Sequence, residues 1–193
     1  SCPMHIDILS VTIRGGFTAL RGPIEIAVAA IEDYIENNPF SMLYICGNYS
    51  RVLDHLRGDF DVRRAFTVYQ LFSILEDVYQ DVVFIEHDLL LFEDVFGRNG
   101  DGDKVRGRGN NTDYSLAENL SLAIRDVARD KLIIYYSPFH DLFFNIIARN
   151  SDRVLIFEKE PGGYFIVDSE GYRGYRRFHH RFLPKGQTTL GIF

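Results

Sequence analysis

The chain of 193 residues has no tryptophan, two cysteines and no apolar run of the length that a membrane helix needs. Because such a helix takes about 20 apolar residues, we expect no membrane partner. Cys2 and Cys46 form neither a metal-binding spacing nor a disulfide framework, and this usage is typical of a reducing compartment. No apolar core of a signal peptide follows the first residues. The sequence therefore predicts a cytoplasmic protein without a metal site.

The overall charge and composition narrow the class of protein further. A formal net charge of −6 argues against a protein that coats nucleic acid without specificity. A hydrophobic content of 46% and an aromatic content of 14% predict a folded chain rather than a disordered one. The length fits one domain with a sizeable core and a tail.

The chain also lacks most of a phosphate-binding loop at the place where one would be expected. The apolar run Phe17–Leu20 leads through Arg21-Gly22-Pro23 into a helix-like segment from about Ile24 to Glu36. A loop of the form G-x-x-x-x-G-K-[ST] neutralises phosphates with backbone amides and a lysine. Here Gly22-Pro23 is followed by no second glycine, no lysine and no Ser or Thr. The segment has the strand–turn–helix frame of a phosphate site without its chemistry.

Short continuous apolar runs alternate with helix-like segments along the rest of the chain. Runs that are apolar on both faces suit parallel strands buried between helices. They lie at Ser41–Cys46, Val82–Ile85, Lys131–Tyr136 and Val154–Phe157. Pro161-Gly162-Gly163 predicts a hairpin turn into Tyr164–Val167. We therefore predict an α/β fold in three layers, with a mainly parallel sheet and a C-terminal β-hairpin.

Three further segments carry local predictions. Ser50 is a candidate N-cap for a short helix that ends near Leu56. Apolar residues spaced three and four apart predict a single helix over about Val62–Tyr79. The stretch Gly97–Ser115 is rich in glycine and asparagine and predicts a long mobile loop, after which a helix resumes near Leu116.

The order of these segments resembles the RecA/RadA-like branch of P-loop ATPases, which includes recombinase paralogues, over roughly Gly16–Val167. Phe17–Pro23 lies where those proteins have a strand and the first residues of the Walker A loop. The segment VVFIEHD, Val82–Asp88, looks like Walker B, and LIIYYSP with the segments after it is similar to their late strand, helix and terminal hairpin. The resemblance implies a RecA-like P-loop NTPase fold over 1–168, followed by a basic and aromatic tail over 169–193.

The departures from that family suggest a changed activity. Gly22, Pro23 and Glu86 are vestigial Walker positions, because a triphosphate would lose its lysine counter-charge and magnesium would lose a Ser or Thr ligand. Glu86 is either a remnant of a magnesium position or a solvated carboxylate at a strand end. We expect no catalytic residue and no cofactor. The alternative is a nucleotide-binding or ATP-hydrolysing paralogue that uses an unusual phosphate loop.

The last seven residues, QTTLGIF, match Q-x-x-h-x-x-a, the PIP-box peptide that clients of the sliding clamp PCNA present. Leu190 and Phe193 are three residues apart, so one turn of 3₁₀ helix places both on one side. They can fill an apolar pocket while Gln187 forms a hydrogen bond beside it. Such peptides usually end in two adjacent aromatics, and this one has a single aromatic. The motif predicts a non-catalytic adaptor in DNA replication or repair, which could also recognise another replication or repair protein.

Cations and aromatic rings are interleaved just before that peptide. The segment Tyr172–Lys185 contains Arg173, Arg176, Arg177, Arg181 and Lys185, and the preceding long loop contains Arg106 and Arg108. Such residues can meet phosphates and stack on bases, so DNA is an alternative partner. They can equally form an edge strand that packs its rings on the body and leaves its arginines in water. The pair His179-His180 has no third ligand nearby, which argues against a metal site.

Ser137, His140 and Asp141 are the residue types of a hydrolase triad. Three side chains within five residues cannot adopt the geometry of a triad, so we reject that activity. We interpret His55 and His87 as surface or core polar residues.

Overall fold

A computed structural model describes residues 4–93, 111–171 and 174–182. Two strands, β1 (His5–Ile8) and β2 (Val11–Arg14), form a separate hairpin. The other strands are β3 (Gly16–Arg21), β4 (Met42–Cys46), β5 (Asp61–Arg64), β6 (Val82–Glu86), β7 (Leu132–Ser137), β8 (Arg153–Glu160), β9 (Gly163–Ser169) and β10 (Tyr175–Arg181). The helices are α1 (Ile24–Asn37), α2 (Arg51–His55), α3 (Val68–Glu76), α4 (Leu90–Glu93), α5 (Asn111–Val127) and α6 (Leu142–Ala148).

The main sheet has eight strands in the order β10-β9-β8-β3-β7-β6-β4-β5. The six strands from β8 to β5 are parallel, whereas β9 pairs with both β8 and β10 in antiparallel fashion. Every residue of β4 and β7 is buried, as expected for strands covered on both faces. The predicted α/β class, the mainly parallel sheet and the C-terminal hairpin are confirmed.

Helices pack on both faces of this sheet. The chain moves across the sheet in one direction from β3 to β5 and in the other from β5 to β8, and right-handed connections then place the helices on opposite sides. The first core joins the β1–β2 hairpin, α1 and Val52 of α2 to one face. The second core joins α3, α4, α5 and α6 to the other face. Alternate residues of β7, such as Ile134 and Tyr135, enter different cores.

Two segments differ from their sequence-based predictions. The single helix predicted over Val62–Tyr79 is wrong at its start, because Asp61–Arg64 pair with β4 as an edge strand. Asn111–Ser115, predicted as the end of a loop, belong to α5, while 94–110 lie outside the described residues. Within the tail over 169–193, Tyr175–Arg181 form the edge strand β10, which was one of the two alternatives left open for this segment. None of the helices in the described ranges is long and apolar enough to span a membrane.

Candidate functional site at the carboxyl ends of the parallel strands

A pocket of about 870 Å³ opens at the carboxyl ends of β4, β6 and β7. Its lining includes Tyr49 and Ser50 after β4, the segment Glu86–Leu90, and Phe139 after β7. The chain leaves β4 toward one face of the sheet and leaves the neighbouring β6 toward the other. Ligands of open α/β sheets bind in the crevice at such a switch point. This pocket is therefore our candidate functional site.

The carboxylate of Glu86 lies at the inner end of this pocket. It accepts hydrogen bonds from the hydroxyls of Tyr44, on the adjacent strand, and of Ser50. Ser50 is also the N-cap of α2, as predicted, and accepts a bond of 2.9 Å from the backbone N–H of Leu53. Burial raises the pKa of Glu86, although the two hydroxyl bonds oppose that shift. Glu86 is thus held by the protein and is not a freely solvated carboxylate.

His87, the next residue, is buried in the wall of the pocket. Its Nε2 is 2.6 Å from Oδ2 of Asp141, and its Nδ1 is hydrogen-bonded to the hydroxyl of Tyr135. Asp141 also caps α6 by accepting a 2.8 Å bond from the N–H of Phe144. Burial opposes ionisation of Asp141, but the bonds from His87 and from the backbone outweigh it and lower the pKa. The interpretation of His87 as a core polar residue is confirmed.

The rejected triad residues have other partners. The hydroxyl of Ser137 donates to the carbonyl of Phe139 at 2.6 Å, and Nε2 of His140 lies 2.9 Å from the amide nitrogen of Asn145. Asp141 is bonded to His87, which is 54 positions away in the sequence. The three side chains thus have separate partners and do not form a local triad.

Gly22 and Pro23 form a tight turn between β3 and α1. The N–H of Gly22 donates to the carbonyl of Ser137 at 3.2 Å, and its own carbonyl accepts a 2.8 Å bond from the hydroxyl of Tyr136. A Cβ at position 22 would lie 3.1 Å from Cβ of Phe157, so the close approach of β8 favours glycine here. Pro23 has no N–H to offer. Neither position therefore offers a free backbone N–H to a phosphate, because the N–H of Gly22 is bonded to Ser137 and Pro23 has none.

A carboxylate also occupies the first turn of α1. Glu25 accepts a 3.0 Å hydrogen bond from Nζ of Lys159, and its pKa is lowered by its own backbone N–H and by Lys159. The N-terminus of a helix carries partial positive charge and favours an anion. At this helix the anion is Glu25, so a phosphate bound there would meet a like charge.

The described arginines of the basic segment lie in three different environments. Arg176 donates to Oδ2 of Asp168 at 2.9 Å. The guanidinium of Arg177 lies 4.8 Å from the ring centroid of Tyr175. Arg181 donates to the carbonyl of Pro161 at 3.2 Å. The structure therefore does not bring all three arginines together into one patch.

Several predicted site residues lie outside the described residues. They are the candidate nucleic-acid contacts Arg106, Arg108, Arg173 and Lys185 and the candidate clamp contacts Gln187, Leu190 and Phe193. His179 forms a 2.6 Å contact with Oε1 of Glu160. In the part of the chain that the structure describes, no group of three or more His, Cys, Asp or Glu residues is arranged to hold a metal ion.

Comparison with known proteins identifies relatives but no activity. No protein-family model matches the chain. An uncharacterized protein of Archaeoglobus fulgidus is 38% identical over 195 aligned positions, which cover 99% of this chain and 90% of that protein. The chain belongs to the family of that archaeal protein. The description of the Archaeoglobus relative names no ligand or partner, so the function of this family must be argued from its residues.

For this member of the family, sequence reasoning found Glu86 but missed the residues that hold it. Tyr44 and Ser50 contact Glu86 from a neighbouring strand and from the loop after it. Arg64 fixes the same loop by donating to the carbonyls of Gly47 and Asn48 at 2.7 and 3.0 Å. The sequence did contain one indication of such a contact, the tyrosine inside the otherwise apolar run Ser41–Cys46. A buried hydroxyl needs a hydrogen-bond partner.

Proposed function

We propose that this protein is a non-catalytic adaptor of DNA replication or repair, built on a degenerate RecA-like scaffold, that binds the sliding clamp PCNA. The clamp contacts are Gln187, Leu190 and Phe193. The observation that carries the proposal is the spacing of these three residues in QTTLGIF. Two apolar anchors three residues apart and one hydrogen-bonding side chain suit a peptide that is recognised by a few residues.

The start of α1 supports an adaptor over an ATP-hydrolysing paralogue. Gly22 is bonded to Ser137 and Tyr136, Pro23 has no donor, and Glu25 already supplies the negative charge. A triphosphate would therefore need both a new counter-charge and a rearranged backbone.

The position of the vestigial residues supports the RecA-like scaffold. Gly22 follows β3 and Glu86 ends β6, and only β7 separates these two strands. Tyr136 of β7 pairs with Glu86 in the strand register and donates its hydroxyl to the carbonyl of Gly22. Both positions thus lie at the same edge of the sheet, as a phosphate loop and its magnesium carboxylate must.

The last described strand limits where a clamp could dock. β10 is parallel to the core strands, so it ends at the same edge of the sheet as the candidate pocket. Gln187 lies six positions after Arg181, and six residues span at most about 20 Å. A clamp bound to the peptide would therefore lie beside the carboxyl ends of the strands.

Phe193→Ala is expected to weaken clamp binding by about 2 kcal/mol or more, roughly 30-fold, because it removes an apolar anchor. Isothermal titration calorimetry of the full chain with a purified archaeal PCNA measures this change. Thr188→Ala is the matched control, since position 188 is not specified by the motif, and it should bind like wild type. A chain shortened to residue 186 that keeps wild-type affinity would rule out the proposal.

Millimolar ATP with magnesium is expected to leave the thermal unfolding midpoint unchanged. A nucleotide present at 100 times its Kd would add about 2.7 kcal/mol of stability, which raises Tm by several degrees in a chain of this size. Differential scanning fluorimetry with ATP–Mg²⁺, and with sulfate as a control for unspecific anions, distinguishes the two cases. A rise with ATP–Mg²⁺ alone would favour the nucleotide-binding alternative.

A further inference from the structure

The strand register sorts the side chains of β10 onto two faces of the sheet. Arg176, Phe178 and His180 stand opposite Asp168, Ile166 and Tyr164 of β9. Ile166 and Tyr164 belong to the first core, and Phe178 packs against it. The alternate residues form the outer sheet face, which we define by Ile156, Glu158, Glu160, Phe165, Val167, Tyr175, Arg177, His179 and Arg181.

The apolar residues of the outer sheet face lie apart from both cores. Val154, at the start of β8, still packs against the second core. Beyond it, Ile156, Phe165 and Val167 are only half-buried and belong to neither core. The outer sheet face is therefore a partly apolar surface that continues past the end of the packed layer of helices.

Aromatic rings and cations are paired on this surface. The side chain of Tyr175 is 62% exposed, and the guanidinium of Arg177 lies 4.8 Å from its ring centroid. On the next row of the sheet, the ring of His179 lies 5.2 Å from that of Phe165. Planar groups of this kind offer faces on which an unpaired base can stack.

The charge of β10 contrasts with the acidic chain as a whole. The strand contains three arginines and two histidines and no acidic residue, in a protein of net charge −6. The outer sheet face has two carboxylates, and both are near cations. Glu160 approaches His179 and Arg181 at 2.6 and 3.7 Å, and Glu158 lies 3.8 Å from Arg21 of β3. Among the described residues, Arg177 has no carboxylate partner. The outer sheet face thus combines a cation that is not neutralised with an exposed ring.

We propose that the outer sheet face binds single-stranded DNA, with bases stacked on Tyr175 and phosphates contacted by Arg177 and Arg181. A single strand fits better than a duplex. The bases of a duplex are already stacked on each other, so they have no free face to place on the rings of this surface. The choice of DNA over RNA rests on the proposed function, since the clamp encircles DNA.

Fluorescence anisotropy of a labelled dT20 with the full chain, at several salt concentrations, tests this site. Two arginine–phosphate contacts predict a log–log salt slope of about −1.4. Tyr175→Ala should weaken binding roughly tenfold with the slope unchanged. Arg177→Ala should weaken binding and make the slope less steep by about 0.7, because one phosphate contact is lost. Arg177→Lys keeps the positive charge and should keep the slope.

Matched controls separate this site from general charge and from clamp binding. Tyr69→Ala and Arg129→Ala remove an exposed ring and an exposed cation elsewhere and should bind dT20 like wild type. Phe193→Ala should also bind dT20 like wild type. The proposal of clamp binding and the proposal of DNA binding can therefore fail independently of each other. No binding of dT20, equal binding of a 20-base-pair duplex, equal losses in the controls, or tighter binding of rU20 would each overturn the proposal.

Discussion

Asp168→Ala is expected to lower the free energy of unfolding by about 3–5 kcal/mol, the usual cost of removing one partner of a buried ion pair. The side chain of Asp168 is 1% exposed, and its two oxygens accept 2.9 Å bonds from Nε and Nη2 of Arg153. Arg153 also donates to the carbonyl of Thr12 at 2.8 Å, which ties the β1–β2 hairpin to the sheet. The variant leaves this partly buried guanidinium with only the more exposed carboxylate of Glu170, at 3.6 Å. Urea unfolding at neutral pH measures the loss.

The ion pair of Asp168 and Arg153 also predicts how the stability difference between wild type and Asp168→Ala depends on pH. Burial opposes ionisation of Asp168, but Arg153 and Arg176 outweigh it and lower the pKa. A carboxyl with a lowered folded-state pKa stabilises the protein above its unfolded pKa, near 3.9, and loses that contribution as the pH falls through the folded value. Wild type and Asp168→Ala should therefore differ most near neutrality and converge in acid.

Asp126→Ala provides the matched control for the ion pair. Asp126 and Arg129 are also 2.9 Å apart, but both side chains are exposed. Exposed pairs contribute less than about 1 kcal/mol, so this variant should unfold close to wild type. Equal losses at Asp168 and Asp126 would contradict the assignment of a buried pair.

The parallel core could be predicted because its strands are apolar on both faces. β4 and β7 are continuous buried runs, and among the strands that the structure describes no other with five or more residues is buried throughout. The edge strand β5, with the sequence DVRR, gave no such pattern, since three of its four side chains are exposed. Its strand form depends on hydrogen bonds to β4, which are not visible in its own residues. For that reason the helix predicted over Val62–Tyr79 was wrong at its first residues, which belong to β5.

β10 illustrates the same limit at the other edge of the sheet. Its residues YRRFHHR show no clear alternation of apolar and polar side chains, because only Phe178 packs against a core. Sequence reasoning therefore left open whether the arginines share a surface. The register with β9 separates Arg176 from Arg177 and Arg181. Only the outer two remain available for a common ligand.

The candidate pocket was predictable in part. Glu86 could be found as the acid that ends an apolar run. Its partners could not be found, because Tyr44 lies on an adjacent strand and Ser50 in the loop after that strand, 42 and 36 positions away in the sequence. The contact between His87 and Asp141 likewise depends on the order of the strands, which periodicity within one segment does not provide.

His87→Ala is expected to lower the free energy of unfolding by about 3–5 kcal/mol. The imidazole packs among the rings of Phe92, Tyr135, Phe139 and Phe144, with centroid distances between 5.4 and 6.2 Å. Truncation leaves a cavity at the centre of this cluster. It also leaves the buried hydroxyl of Tyr135 without the ring nitrogen it contacts, which adds the cost of an unsatisfied polar group. Urea unfolding measures the sum of the two effects.

Two further variants separate packing from hydrogen bonding at this position. His87→Phe keeps most of the ring volume and loses both nitrogens, so it should recover part of the loss but not all of it. His55→Ala changes the same residue type on the exposed face of α2 and should alter the free energy of unfolding by no more than about 0.5 kcal/mol. If His87→Ala costs less than about 1 kcal/mol, the histidine does not hold the carboxyl ends of β6 and β7 together.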